Sequence, residues 1–302
     1  MIRRHLSDSL IELLQPLLSG IIDDWELQVE IRDEAVTIYY RGAALVRDLR
    51  LNGDRLAGSV HHKYVPMNNF EAKNYVTVSG DADGLTFESI PQPLAPGKLS
   101  AEVVRNYKRM MRSVSGNPEA AIVHGIVSRP ENRIVDQELK FQESGVPEAD
   151  KIDICHFDLG LKCLALVEVK GLHDTRLRSR DGNVPEVIDQ LRRYRTRIET
   201  WRDSIVDGCT SSTRLKRRLG FAVRLDGIPE SEPLKLMRKP VLVIGGCSRD
   251  DVRTIVNGSD EWQLLMEGVK EVAAGVIVCG LNGCNLRLHN GGHSRVFDTD
   301  VI

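Results

Sequence analysis

Lys151-Ile-Asp-Ile-Cys-His-Phe-Asp158, followed after Leu159-Gly-Leu-Lys162 by Cys163-Leu-Ala-Leu-Val-Glu-Val-Lys170, decides how this chain is read. Both runs are rich in β-branched and large apolar residues, and a short glycine-containing connection separates them, the pattern of an antiparallel hairpin. With the turn centred between Gly160 and Leu161, opposed positions have residue numbers summing to 321, which sets Asp153 across from Glu168. Side chains alternate along a strand, so Lys170 joins Glu168 on that face while Val167 and Val169 point to the other. Two facing carboxylates repel each other, and at a partly buried site both stay ionised only when a cation offsets them. Oxygen donors in small number, with places left for water and phosphate, suit Mg²⁺ or Mn²⁺ better than a thiolate-preferring ion. Lys170 adds a positive charge able to orient an attacking water or offset a developing phosphorane charge. The expected chemistry is hydrolysis of a phosphodiester.

Upstream, residues 134–141 read as a further strand and 120–127 as a helix or strand. Downstream, a helix is expected over residues 185–201, strands over 219–225, 241–245 and 276–279, and helices over 250–256 and 261–273. This order is that of a mixed α/β domain. The first hundred residues differ. Leu6, Leu10, Leu13, Leu14, Leu17, Leu18, Ile21 and Ile22 fall at helical spacing, and four runs over residues 27–32, 35–40, 44–51 and 56–64 are punctuated by Gly42 and Asn52-Gly53. A small antiparallel sheet is predicted there. Three prolines and a glycine between Ser89 and Ser100, then a helical pattern over 101–113, place a boundary that gives an α+β domain at 1–110 and an α/β domain at 111–302.

The order Asp153, Glu168-Val169-Lys170 and Gln190-Leu-Arg-Arg-Tyr194 resembles the PD-(D/E)XK superfamily of nucleases. In that superfamily a strand Asp is followed on the next strand by Glu-x-Lys. Gln190 and Tyr194 lie four apart on one helix face, and they are similar to the Gln-x-x-x-Tyr motif of the RecB-like branch and to that of NucS-like endonucleases. Glu138 stands where the superfamily often carries an upstream acid. The resemblance covers about residues 120–200. No proline immediately precedes Asp153, and Asp150 in Pro147-Glu-Ala-Asp150 is a competing acid; Asp153 is preferred because Ile152 and Ile154 flank it as a buried strand requires. The resemblance implies a restriction-endonuclease-like mixed sheet flanked by helices. It makes Asp153, Glu168 and the Val169 carbonyl ligands of Mg²⁺ or Mn²⁺, and sets Lys170 at the attacking water or scissile phosphate. Gln190 and Tyr194 would support the site, and Glu138 would contact the metal through water. It further implies DNA ahead of RNA as substrate and a setting in prokaryotic defence or DNA repair.

Lys plus Arg total 41 against 43 Asp plus Glu, so nucleic acid has to be met by a local patch rather than by net charge. Residues 176–218 supply one, with twelve basic residues against six acidic. Arg176, Arg178 and Arg180, just after Lys170, are the candidate phosphate contacts. Solvated ion pairs such as Asp189 with Arg193 account equally well for the helix. Six cysteines without a Cys-x-x-Cys pair read as free thiols. No run approaches the ~18 apolar residues of a membrane span, and Met1-Ile-Arg-Arg-His5 leads into Ser7 and Asp8 instead of a signal core, so a cytoplasmic address is expected. Gly245-Gly246-Cys247-Ser248 reads as a strand-to-helix turn with Ser248 or Asp250 as cap, lacking the lysine of a phosphate loop. His289 and His293 have a ligand-like spacing but sit around Gly291-Gly292, the composition of a loop. Tyr39-Tyr40-Arg41 and His62-Lys63-Tyr64 interleave rings with bases as a nucleic-acid face does, though sheet packing explains them as well.

Two other readings stand beside the nuclease. One is a non-catalytic nucleic-acid-binding or regulatory protein built on the same scaffold, since fold alone does not guarantee activity. The other is an RNA-cleaving effector gated by an activating protein partner. The N-terminal domain is expected to select substrate, sense a trigger or form a homodimer.

Overall fold

The computed structural model describes residues 2–61, 75–87, 105–106, 108–109, 118–141, 150–179, 182–257, 259–288 and 294–296. The protein is mixed α/β with two sheets and two compact units. One unit comprises Met1–Ile2, Pro118–Thr210 and Asp226–Ile302, the other Arg3–Asn117 and Ser211–Leu225.

The N-terminal unit opens with helix α1 (Asp8–Leu18) and a short 3₁₀ turn (Ser19–Ile21), within the span that the leucine spacing marks. A six-stranded antiparallel meander follows: β1 (Leu27–Arg32), β2 (Ala35–Tyr40), β3 (Ala43–Asn52), β4 (Arg55–His61), β5 (Tyr75–Asp81) and β6 (Gly84–Phe87). Leu10, Leu14, Leu17 and Leu18 of α1 pack on Val29, Ile31, Ile38, Val46 and Val60 of the sheet. Strands β5 and β6 were not anticipated. The expected end of β4 at residue 64 and the helix over 101–113 lie mostly outside the described residues.

The second unit is built on a mixed sheet. Strands β7 (Arg133–Phe141), β8 (Asp150–Asp158) and β9 (Cys163–Gly171) are antiparallel neighbours. Strand β11 (Val241–Gly245) runs parallel to β9, and β12 (Gly275–Val278) runs parallel to β11. A two-residue β10 (Lys235–Leu236) also pairs with β9, and β13 (Ser294–Val296) closes the far edge antiparallel to β12. On one face Ile154, Ala165, Val167, Val169 and Val243 bury themselves with Ile122 and Ile126 of α2 (Pro118–Val127). The other face carries the polar residues of the site and receives α3 (Glu186–Arg218), whose Gln190 and Tyr194 reach β8 and β9. Helices α4 (Arg249–Val256) and α5 (Asp260–Val272) connect β11 to β12. Ser248 caps α4 in a reciprocal arrangement with Asp251, as its position after the glycines suggests.

Helix α3 was expected to stop at residue 201. Trp201 does leave helical geometry, at φ −112° and ψ 15°, but the chain resumes its helix to Arg218. The expected strand over 219–225 is a correction: it is a turn and a 3₁₀ segment, Ala222–Leu225. Gly220 at φ +99° reverses the chain, letting the Phe221 amide reach the Lys216 carbonyl at 2.9 Å. The buried Arg224 guanidinium then donates to the carbonyls of Ile21, Ile22, Asp24 and Leu27. Leu215, Leu219 and Phe221 join the N-terminal core, which is why Ser211–Leu225 belongs to that unit although a single cut at 110 leaves it in the other. Among the described residues, no helix is long and apolar enough to cross a membrane.

Candidate active site on the β8–β9 hairpin

The register of β8 and β9 pairs Ile154 with Val167 and Asp158 with Cys163, the constant sum of 321 expected from the turn. Asp158 fixes that turn by accepting the amides of Gly160 and Leu161 at 2.8 and 2.9 Å. The paired register ends at Ile154 and Val167, and one residue beyond it the Asp153 side chain accepts the Val169 amide through Oδ2 at 2.8 Å. Glu168 and Lys170 are both buried, and Lys170 Nζ donates to Glu168 Oε1. The same ammonium lies 3.3 Å from the Val169 carbonyl oxygen.

Helix α3 completes the cluster. Gln190 Nε2 donates to Glu168 Oε1 at 2.7 Å and to the Tyr194 hydroxyl oxygen at 2.7 Å, and that hydroxyl donates to the Lys151 carbonyl at 2.6 Å. The four-residue spacing puts both side chains on one helix face over the acids. Asp153, Glu168, Lys170, Gln190 and Tyr194 are therefore one connected group. The Glu138 carboxylate pairs with Lys151 Nζ at 2.7 Å. Asp150, the competing acid, faces Arg197 and Arg193 on α3 at 3.3 and 3.7 Å.

The electrostatics follow from burial of two acids together. Burial and then the neighbouring Glu168 charge push the Asp153 carboxyl up to about 7, against the Val169 amide and Lys170. Burial likewise raises Glu168, with Lys170 opposing it and a further acid, Glu119, adding to it. Glu119 is itself raised by burial and feels Lys170, Asp153 and Arg176. It sits in the first turn of α2, and no sequence pattern connected it to the hairpin; only the packing of α2 on β9 does so. Burial, then the Glu168 charge, keeps the Tyr194 phenol neutral well above its ordinary range.

Of the expected phosphate contacts, Arg176 is held by Asp174 through Nε at 3.0 Å and Nη2 at 2.5 Å, with Glu119 at 3.9 Å. Arg178 stacks its guanidinium on the Trp262 ring at 3.9 Å. Arg180 lies outside the described residues, as do His289 and His293. On α3, Asp189 pairs with Arg192 rather than with Arg193. The cysteines are free thiols.

The donor set is of the type a hard divalent cation takes. Glu168 Oε2 is buried and has no hydrogen-bond partner among the described residues, an acceptor left for something other than protein. Asp153, Glu168 and the Val169 carbonyl offer oxygen donors alone, the type Mg²⁺ and Mn²⁺ take. Among the described residues no three His, Cys, Asp or Glu side chains form a ready-made cage, so such an ion would keep water or substrate oxygens in its remaining places.

No protein-family model, curated protein or solved structure matches this chain.

Proposed function

We propose that this protein is a Mg²⁺- or Mn²⁺-dependent nuclease of the PD-(D/E)XK type, with a restriction-endonuclease-like fold in its second unit. The observation that carries the reading is the buried Glu168. One of its oxygens is shared by Lys170 and Gln190, the other has no hydrogen-bond partner among the described residues, and Asp153 is the facing acid. A divalent ion held by Asp153, Glu168 and the Val169 carbonyl supplies Lewis acidity and neutralises charge on a phosphodiester.

The protein's own groups account for the rest. Lys170, the buried cation of the cluster, orients a water for attack on phosphorus and offsets the negative charge that builds there as the ester oxygen leaves. Gln190 fixes the orientation of Glu168, and Tyr194 fixes Gln190, leaving Glu168 Oε2 pointing where a cation is needed. Asp153, drawn toward the protonated form by burial, is returned to the carboxylate by a bound cation. DNA is the proposed substrate ahead of RNA, in genome defence or repair, and Arg176 and Arg178 are the proposed phosphate contacts.

The test is a cleavage panel of circular and linear duplex DNA, single-stranded DNA and RNA in Mg²⁺, Mn²⁺ or EDTA, beside Lys170→Ala. Metal-dependent cutting that Lys170→Ala abolishes is the expected result; intact substrates under every condition sink the reading for the isolated chain. The closed Lys170–Glu168 pair favours one rival, a non-catalytic scaffold in which lysine permanently stands where a cation would. The two part on Mn²⁺, which raises the unfolding temperature of the nuclease and leaves that of the scaffold unchanged.

A further inference from the structure

The N-terminal sheet presents an open face that the proposed chemistry does not use. Along β5, Tyr75, Thr77 and Asp81 are exposed and Ser79 is half-buried, while Val76, Val78 and Gly80 are buried, so one side of the sheet faces outward. The register aligns its outward residues in rows across strands: His61 with Tyr75, Arg47 with Ser59 and Thr77, and Arg50 with Ala57, Ser79 and Thr86. Beside the two arginines, these rows hold the small residues Ser59, Thr77, Ala57, Ser79 and Thr86, next to a large ring on β5. That ring is Tyr75, 42% exposed.

Two groups hold the ring in place. His61 meets it edge-on with centroids 5.1 Å apart, and the Arg47 guanidinium lies 5.6 Å from its centroid with Nη1 3.5 Å from the hydroxyl. A fixed, exposed aromatic face bordered by guanidinium groups is the arrangement that stacks an unpaired base and meets its phosphates. Among the described residues, the charges on the strands of this face are Arg47, Arg50 and Arg55 against Asp48 and Asp81. Asp48 is paired with Arg47 at 3.2 Å, and Arg50 Nε donates to the Asp48 carbonyl at 3.4 Å. Arg55 and Asp81 lie at the opposite end of the strands from Tyr75, which leaves Arg50, two rows from the ring, as the excess positive charge. A duplex hides its base faces and gains nothing from Tyr75, so the chemistry selects single strands.

We propose that the outward face of β3–β5 is a binding platform for single-stranded nucleic acid, with Tyr75 stacking a base and Arg47 and Arg50 meeting the backbone phosphates. It is carried by residues of the N-terminal unit alone and does not depend on the catalytic reading.

The test measures binding of fluorescently labelled oligothymidylate, oligouridylate and a hairpin duplex to the full chain by anisotropy in EDTA, where metal-dependent cleavage is silent. Single strands bind in preference to the duplex, Tyr75→Ala weakens that binding about tenfold, and Tyr75→Phe retains it. Arg50→Ala lowers both the affinity and its dependence on salt. The DNA and RNA arms identify which backbone is preferred. Because Tyr75 and Arg50 are exposed, unfolding curves of the variants coincide with that of the parent. Equal binding by Tyr75→Ala, a preference for duplex, or no binding to any oligonucleotide overturns the platform. Absent cleavage with Tyr75-dependent binding intact counts against the catalytic reading alone, and cleavage with Tyr75-independent binding counts against the platform alone.

Discussion

The backbone amide of Val169 donates to Asp153 Oδ2 at 2.8 Å. This bond ties the first acid to the strand that carries the second, between Glu168 and Lys170 in sequence. It also separates two roles of Asp153 that a single truncation confuses, since the carboxylate both accepts a buried amide and supplies charge.

Asp153→Asn keeps an acceptor for the Val169 amide and removes the charge; Asp153→Ala removes both. The first is expected to be at least as stable as the parent in urea unfolding near pH 5, where the parent's folded state holds a proton its unfolded chain has lost, while losing Mn²⁺-induced stabilisation. The second is expected to lose about 1–3 kcal/mol as well, the cost of an unpaired buried amide. If Asp153→Asn still gains stability from Mn²⁺, Asp153 is not a ligand.

Lys170 and Glu168 are each about 2% exposed, so neither charge has water to fall back on. Lys170→Met leaves Glu168 buried without its cation and is expected to cost about 3–5 kcal/mol. Lys170→Met combined with Glu168→Gln removes both charges and is expected to recover most of that loss. Neither variant should cleave. Equal stability of the single and double variants in denaturant unfolding would show that the ion pair carries no such coupling.

Gln190 connects α3 to the acids, and Tyr194 connects Gln190 to the Lys151 carbonyl. Tyr194→Phe removes one donor and one acceptor and is expected to cost about 1 kcal/mol. Its larger effect should be on turnover, because Gln190 loses the partner that orients it; a ten- to hundredfold fall in kcat with KM little changed is expected. A fall in stability with unchanged kcat would make Tyr194 a packing residue only.

The hairpin was legible because its geometry is local: a short turn fixes the register, and the register fixes which acids face each other. Gln190 and Tyr194 were legible through helical spacing and a family motif. Glu119 was not, since only tertiary packing of α2 brings a helix-start glutamate toward residues 34 to 51 positions later. The strand wrongly assigned to 219–225 shows the opposite failure. Leu219, Phe221, Val223 and Leu225 alternate as a strand does, yet Gly220 and the carbonyl-binding Arg224 impose a turn. Strands β5 and β6 were passed over although Tyr75–Asp81 alternates, and their hairpin requires Gly80, where a Cβ would sit 1.8 Å from the Gly84 carbonyl oxygen.

Arg224 offers a prediction on the N-terminal unit alone. Its guanidinium donates to the carbonyls of Ile21, Ile22, Asp24 and Leu27 between Trp25 and Phe221, whose ring centroids lie 5.3 and 5.0 Å away. Arg224→Met fills much of the volume but takes a donor from each of those carbonyls, of which Ile21 and Asp24 still accept the Asp24 and Leu27 amides, and is expected to destabilise by about 1–3 kcal/mol. Arg224→Lys should recover only part, because one ammonium cannot span that set of acceptors. Denaturant unfolding of the three proteins checks the order.

Asp153 and His156 give the protein two opposed pH dependences over nearly the same interval. Asp153 is raised from 3.8 to about 7, so between these values the folded state holds a proton the unfolded state has lost, and stability falls as pH rises. His156 is fully buried against the sheet core, and burial lowers it from 6.5 to about 4 in spite of Asp158. Between about 4 and 6.5 the unfolded state therefore holds the extra proton, and stability falls as pH drops. The two slopes oppose each other in the parent, and the raised Glu168 and Glu119 add to the fall with rising pH. Asp153→Asn removes one falling slope, so its stability should climb relative to the parent as pH rises toward about 7. His156→Phe removes the other, leaving one that falls with pH to about 7, by on the order of 1–2 kcal/mol once solvent access to the half-buried carboxyl is allowed for. Saturating Mn²⁺ holds Asp153 ionised in the folded state and should erase its slope in the parent. Urea unfolding at half-unit steps of pH, with and without Mn²⁺, reads all four curves; parallel curves for the parent and Asp153→Asn would mean that this carboxyl is not raised.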